Sequence, residues 1–62
     1  MMRVVFYDKQ RETYHAIGNV VQLEQRIDKV SGRLINLWYL SMYDGSLQTL
    51  PTKWFTLHRV EI

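Results

Sequence analysis

Residues that could support catalysis are few and widely spaced in this chain of 62 residues. His15 and His58 are the only histidines, and they stand far apart in the sequence. No cysteine is present, so the Cys/His spacing of a zinc site is absent. The serines lack a Gly-x-Ser-x-Gly context, and the glycines stand singly rather than in a phosphate-binding loop. We therefore predict a protein that is not an enzyme and that uses no metal and no cofactor.

Basic side chains interleaved with aromatic rings are the second possible source of chemistry, because nucleic-acid-binding barrels use cations for phosphates and rings for bases. Eight Lys and Arg against six Asp and Glu give a formal net charge of +2. Acids are interspersed among the cations, which is typical of a mixed solvated surface. The candidates for nucleic-acid contact are Lys9, Arg11, Arg33 and Lys53. Nucleic-acid binding is the alternative function.

The elements that must position these residues are predicted to be strands, because the apolar residues repeat mostly with period two and are rich in β-branched and aromatic types. Residues 8–18, which combine a charged run with the turn dipeptide Gly18-Asn19, are predicted to form a long irregular hairpin loop. Pro51 cannot donate to a ladder and should end the fourth strand. The predicted strands cover 2–7, 19–27, 33–42, 47–50 and 55–62.

Residues 19–31 also fit a helix. Their apolar residues recur at heptad spacing, Asn19 is a competent N-cap, and Gly32 stands where a C′ glycine would end the helix. We prefer the strand, because residues 28–32 lie between two apolar runs as a hairpin loop does. Both interpretations stay open at the level of the sequence.

A chain this short supports one small core, so a single domain over 1–62 is predicted. Core residues should come from alternating apolar positions of the strands. The longest apolar stretch is far below the roughly 20 residues needed to span a bilayer, so a cytoplasmic location is expected. The predicted core residues are Val4, Phe6, Val21, Leu23, Ile35, Leu37, Leu50, Val60 and Ile62.

The strand over 33–42 carries large apolar residues on both faces, whereas a small barrel has one interior. If Ile35, Leu37 and Tyr39 fill that interior, the opposite set points outward as a contiguous apolar patch. Such a patch on a soluble protein usually marks an interface, here with a protein partner or a second copy. The predicted interface residues are Leu34, Trp38, Leu40 and Met42.

Three short segments resemble SH3-like domains. Val5-Phe6-Tyr7-Asp8 is similar to the tyrosine-bearing end of the first SH3 strand, Trp38 stands in a central strand, and Pro51-Thr52-Lys53-Trp54-Phe55 is similar to the element before the last strand. The resemblance implies an all-β fold, a five-stranded SH3-like small antiparallel barrel. It also implies a further alternative function, the reading of extended peptides, although Lys9-Gln10-Arg11 places basic residues where peptide-binding members carry acids.

The short length, the missing cysteines and the compact strand-turn rhythm ending in Leu50-Pro51 and residues 55–62 resemble the short orphan proteins encoded by phages and mobile elements of bacteria. That resemblance implies a non-catalytic binding module that engages another protein. Inhibition of a host or defence factor is one concrete form of this function.

Overall fold

A computed structural model describes residues 1–62, and the chain is all-β with no helix. The strands form one antiparallel sheet in the order β4-β3-β2-β1-β5. This confirms the predicted all-β class, and the absence of a helix excludes the helical alternative for residues 19–31. The strands are β1 (Met2–Asp8), β2 (Thr13–Val30), β3 (Arg33–Met42), β4 (Leu47–Pro51) and β5 (Phe55–Glu61).

The sheet is open, and the closed barrel that the sequence predicted is not formed. β4 pairs only with β3, and β5 pairs only with β1, so no ladder joins the two edges. The molecule measures 35 × 29 × 13 Å. β4 has only five residues and ends at Pro51, which has no N–H to donate to a further ladder, so this edge is poorly suited to closing a barrel.

The long loop predicted over residues 8–18 is wrong. β1 runs to Asp8 and β2 begins at Thr13, so only a short turn separates them. The Asp8 carboxylate accepts hydrogen bonds from the backbone N–H groups of Gln10 at 3.0 Å and Arg11 at 3.2 Å. Glu12 adopts a φ of 52° and brings the chain back. The polar run therefore forms a short charged turn that is closed by the side chain of its own aspartate, Asp8.

β2 has 18 residues; its first part pairs with β1, and from Val20 onward it pairs with β3. Val20 pairs with Met2 of β1 and with Met42 of β3, and the register shifts on both sides of it. Asn19 has a φ of 60°, so the predicted turn at Gly18-Asn19 is a bulge within a continuous strand. The bulge makes Val20 fully buried, whereas Val21, which the sequence placed in the core, is 56% exposed.

β2 and β3 are joined by a two-residue turn. Ser31 and Gly32 have φ values of 53° and 79°, which is the positive-φ pair of a type I′ hairpin. The predicted connection over residues 28–32 is thus reduced to its last two residues, and both strands continue to the turn. Beyond the ends of β1 and β4 these strands form a projecting two-stranded ribbon, residues 27–30 and 33–36, which we call the arm.

The core lies on one face of the sheet around four fully buried side chains, Val4, Phe6, Val20 and Leu40. The Trp38 ring packs against Phe6 with a centroid separation of 5.7 Å. Its Nε1 donates to the carbonyl of Phe55 at 2.9 Å, which ties β3 to the start of β5 across the core. Half-buried residues complete the cluster, namely Met2, Ile17, Leu23, Trp38, Met42, Leu50, Phe55 and Leu57.

The predicted outward orientation of Trp38, Leu40 and Met42 is wrong. Leu40 is fully buried, and Trp38 and Met42 pack against the core. The physical reason is cross-strand pairing, because Met42 lies opposite the buried Val20 and so turns its alternate neighbours inward. Leu34 is the one member of that set left exposed, at 75%.

The predicted core is correct at Val4 and Phe6, while Leu23 and Leu50 pack against its rim. Val60 and Ile62 are exposed, because β5 is an edge strand whose register shifts against β1 before its end. Ile35 and Leu37 are half-buried outside the core cluster. The structure contains no helix that is long and apolar enough to cross a membrane.

Candidate binding groove

The largest cavity is an open groove of about 440 Å³ between the arm and the turn that follows β4. One wall is the β3 side of the arm, and the other is the turn itself. Its lining residues are Arg33, Leu34, Ile35, Asn36, Pro51, Thr52, Lys53 and Trp54. We call this cavity the basic groove.

The chain after Pro51 forms the second wall, because it turns away from β3 there. The last ladder pair is Leu37 with Pro51. Thr52 then donates to the carbonyl of Asn36, from its N–H at 3.1 Å and from its Oγ1 at 3.2 Å. The Trp54 N–H donates to the Pro51 carbonyl at 3.2 Å, so the chain turns sharply away from the arm.

Two predicted nucleic-acid residues, Arg33 and Lys53, lie in the basic groove, and neither forms a salt bridge. No carboxylate lines the groove. Elsewhere Arg3 and Arg59 share Glu61 and Arg26 binds Glu24, whereas Lys29 on the arm has no carboxylate partner. The sequence charges are evenly mixed, and it is the pairing in three dimensions that leaves positive charge at the groove.

A third predicted residue, Lys9, belongs to the same end of the molecule. Its backbone N–H donates to the Trp54 carbonyl at 2.9 Å, which holds the β1–β2 turn against the groove-forming turn. The Lys9 side chain is exposed and has no carboxylate partner. Lys9 therefore adds a free cation near one end of the basic groove.

Trp54 supplies an aromatic surface at the groove, and 36% of it is exposed. The Lys53 Nζ lies 5.1 Å from the centroid of the Trp54 ring, a cation–π arrangement. An exposed ring flanked by cations can stack on a planar ligand group while the cations neutralise an anion. Trp54 has the geometry of a ligand platform, whereas Trp38 is part of the core.

Arg11, the fourth predicted nucleic-acid residue, lies elsewhere. Its guanidinium contacts the Asp8 carboxylate at 3.3 Å, and it lines a shallow pocket of about 300 Å³ with His15 and Phe55. His15 Nε2 also contacts the fully buried Asp8 carboxylate, at 3.1 Å. Asp8 therefore organises Arg11 and His15 into a cluster separate from the basic groove.

The protonation of Asp8 is governed by opposing effects. Burial by itself raises the pKa of this carboxyl, but hydrogen bonds from the Arg11 N–H, His15, the Gln10 N–H and the Arg11 guanidinium outweigh it, and the pKa lies below its ordinary value. The carboxylate is thus ionised, which fixes the turn and keeps the Arg11 charge engaged. Nothing in this cluster supplies a nucleophile or a third metal ligand.

Five residues of the groove were not predicted from the sequence as part of a site, namely Ile35, Asn36, Pro51, Thr52 and Trp54. Pro51 was the available signal, because a strand that must stop beside a longer neighbour leaves a groove along the uncovered edge. Leu34, predicted as part of an apolar interface, lines the groove rather than an apolar patch formed with Trp38.

A scan against protein-family models found no match, and searches of curated proteins and of solved structures likewise found none.

Proposed function

We propose that this protein is a non-catalytic binding module that takes an extended, acidic segment of a partner protein into the basic groove. The observation that carries the proposal is the combination of two unpaired cations, Arg33 and Lys53, with an open strand edge and no carboxylate in one groove. A peptide with acidic side chains complements this charge, and an extended backbone complements the edge.

The edge is the outer side of β3 next to the groove. The Asn36 carbonyl points away from β2 and accepts from Thr52. Backbone groups alternate sides along a strand, so the N–H and C=O of Leu34 face the same way and meet no neighbouring strand. One or two ladder hydrogen bonds with an added strand are available there, while Arg33 and Lys53 select for acidic side chains.

The experiment is direct titration with a fluorescein-labelled, extended ten-residue peptide that alternates Glu with Thr or Val. Its counterpart with Lys in place of Glu serves as the ligand control. We expect fluorescence anisotropy to rise with the acidic peptide only. The double variant Arg33→Glu/Lys53→Glu should remove binding, because it reverses both groove charges.

Arg3→Glu/Arg59→Glu is the matched control variant, because it changes the net charge by the same amount at the far edge of the sheet, where both arginines bind Glu61. Retained binding in this variant shows that location matters, not total charge. Equal loss in both double variants would contradict the groove as the site, and absence of binding to wild type would contradict the acidic-peptide proposal.

Single-stranded nucleic acid is the second candidate ligand, and the exposed Trp54 ring beside Lys53 is the observation that favours it. Base stacking on an aromatic ring contributes roughly 1–3 kcal/mol per base. An electrophoretic shift with a short oligo(dT) over a salt series tests this, because a phosphate-driven complex weakens as salt rises. Trp54→Ala should then lose more affinity for oligo(dT) than for the acidic peptide.

Single variants of Lys9 and Arg11, the two cations of the β1–β2 turn, show in the same assay which of them contributes to binding. Lys9→Glu should weaken oligo(dT) binding, because Lys9 is a free cation near the groove. Arg11→Glu should leave it nearly unchanged, because Arg11 is held by Asp8 in the other pocket. A larger effect from Arg11→Glu than from Lys9→Glu would place nucleic acid on the Asp8 side of the molecule.

The wider setting of this function is also proposed. The order of the strands and the turn after Pro51 support an SH3-like relation and the reading of extended peptides, with the open sheet as the departure from a closed barrel. A role as a cytoplasmic accessory protein of a phage or mobile element, inhibiting a host or defence factor, stays a prediction.

A further inference from the structure

The opposite edge of the arm, on β2, carries a long stretch of unpaired strand. The ladder between β1 and β2 ends at Val20, so residues 22–30 pair with β3 alone. This stretch carries charged side chains but contains no proline and no register shift after Gln22, two features that block many other edges. It lies across the arm from the basic groove, so an interface on this edge is independent of the proposed function.

The turn geometry fixes which backbone groups face outward. In a two-residue hairpin the flanking pair, Val30 and Arg33, exchanges both hydrogen bonds, and hydrogen-bonded pairs alternate from there. Ile27 is opposite Asn36 in a non-hydrogen-bonded pair. In agreement, the Asn36 carbonyl points away from β2 and accepts from Thr52. The N–H and C=O of Ile27 therefore point away from β3 into solvent, as do those of Gln25 and Lys29.

We propose that this edge pairs with the same edge of a second copy of the chain, antiparallel about a two-fold axis at Ile27. Ile27 then lies opposite Ile27 of the second copy and exchanges both hydrogen bonds with it. Gln25 lies opposite Lys29, and this pair is hydrogen-bonded in the same way. The two five-stranded sheets become one continuous sheet with the two arms at its centre.

The charges on one face complement this register. Arg26 of each copy stands directly opposite Asp28 of the other, giving two pairs of opposite charge across the axis. Within one chain Arg26 binds Glu24 and lies over the Tyr39 ring at 4.7 Å, and Asp28 accepts the Tyr39 hydroxyl, so both side chains are held on this face. An axis at Lys29 would instead put two lysines face to face.

The apolar residues of the other face also explain why a second copy fits. Ile27 is 70% exposed and Leu34 is 75% exposed. They are diagonal neighbours, because Ile27 pairs with Asn36 and Leu34 lies two residues away on β3. The axis at Ile27 places this side chain directly opposite Ile27 of the second copy, so the two cover one another from water, while Leu34 stays on β3 at the basic groove.

A cysteine scan tests both the pairing and its register, since the chain has no native cysteine. In a hydrogen-bonded antiparallel pair the Cα atoms lie roughly 5.5 Å apart, within the range of a disulfide. Ile27→Cys should form a disulfide-linked dimer under mild oxidation. Gln25→Cys, which lies opposite Lys29 in this register, should remain largely monomeric on the same gel. Efficient crosslinking at Gln25 and not at Ile27 would overturn the axis.

Sedimentation equilibrium on the unmodified chain and two proline variants measures the association itself. Ile27→Pro removes only an outward N–H, so the hairpin should stay folded while dimer affinity falls roughly tenfold or more. Thr49→Pro is the matched control, because Thr49 has its N–H on the outer side of the edge strand β4, and its dimer affinity should not change. Ile27→Lys replaces Ile27→Pro if the latter loses its strand circular dichroism, with the same expected loss. A wild type that is monomeric at millimolar concentration, or a dimer insensitive to Ile27 variants, would overturn the proposal.

Discussion

The centre of the sheet and the arm are built from the same two strands but have opposite characters. At the centre, β2 and β3 have a neighbour on each side, and Val20 and Leu40 are fully buried. In the arm, the same strands pair only with each other or with one short turn, and Ile27 and Leu34 are largely exposed. A two-stranded ribbon is marginal by itself. Stability is therefore concentrated at the centre of the sheet, whereas the surfaces available to ligands lie on the arm.

The largest expected effect comes from truncating leucines on the same face of β3. Leu40→Ala should cost roughly 2–5 kcal/mol, comparable to the whole stability of so small a domain, and should unfold it. Leu34→Ala should change stability by less than about 0.5 kcal/mol, because the side chain is already in water. Urea denaturation followed by circular dichroism measures both. Equal losses would contradict the separation of centre and arm.

A second contrast concerns pH and two aspartates. The pKa of Asp8 is lowered in the folded state, so its stabilising contribution is complete above the ordinary value of 3.8 and is lost as pH falls through the lower folded-state pKa. Asp8→Asn should flatten the fall in melting temperature in acid. The pKa of Asp28 is lowered too, chiefly by the Tyr39 hydroxyl, but Asp28 is exposed and Asp28→Asn should flatten the fall less. Thermal melts across the acid range compare the variants, and a steeper slope in Asp8→Asn would contradict the assignment.

The two tryptophans give a third contrast. Trp38→Phe keeps a ring against Phe6 but removes the hydrogen bond from Nε1 to the Phe55 carbonyl, so it should cost about 1 kcal/mol of stability and leave an unsatisfied carbonyl. Trp54→Phe should leave stability nearly unchanged, because Trp54 makes no such bond to the core. Its effect should appear instead in ligand binding at the basic groove. A loss of stability in Trp54→Phe together with a loss of ligand binding in Trp38→Phe would contradict these roles.

The smallest expected effect is a gain at the tip of the arm. Ser31 adopts a left-handed φ of 53° before Gly32, and Asn-Gly is the preferred pair for this turn. Ser31→Asn should stabilise the hairpin by roughly 0.5 kcal/mol and slow amide hydrogen exchange in the arm. Because the centre carries most of the stability, protection of Val20 and Leu40 should rise much less. A uniform rise would indicate that the arm and the centre unfold as one unit.

Local chemistry accounts for the correct sequence-based predictions. Period-two apolar residues rich in β-branched and aromatic types predicted strands, and Pro51 predicted the end of β4. Val4 and Phe6 were predicted as core residues, and both are buried, as is Val5 between them, because β1 has a neighbouring strand on each side. Arg33 and Lys53 were named as candidate contact residues, and their convergence on one groove required the fold.

The incorrect predictions share one physical cause, which is that strand register is a property of pairs. The bulge at Gly18-Asn19 made β2 a single strand, and the paired neighbours Met2 and Met42 buried Val20 instead of Val21. A shift of one residue exchanges the two faces, so Leu40 turned inward with it. Composition and alternation determined the all-β class. Cross-strand pairing, charge neutralisation and the early stop of β4 decided which face is core, which cations are free and where a ligand has room.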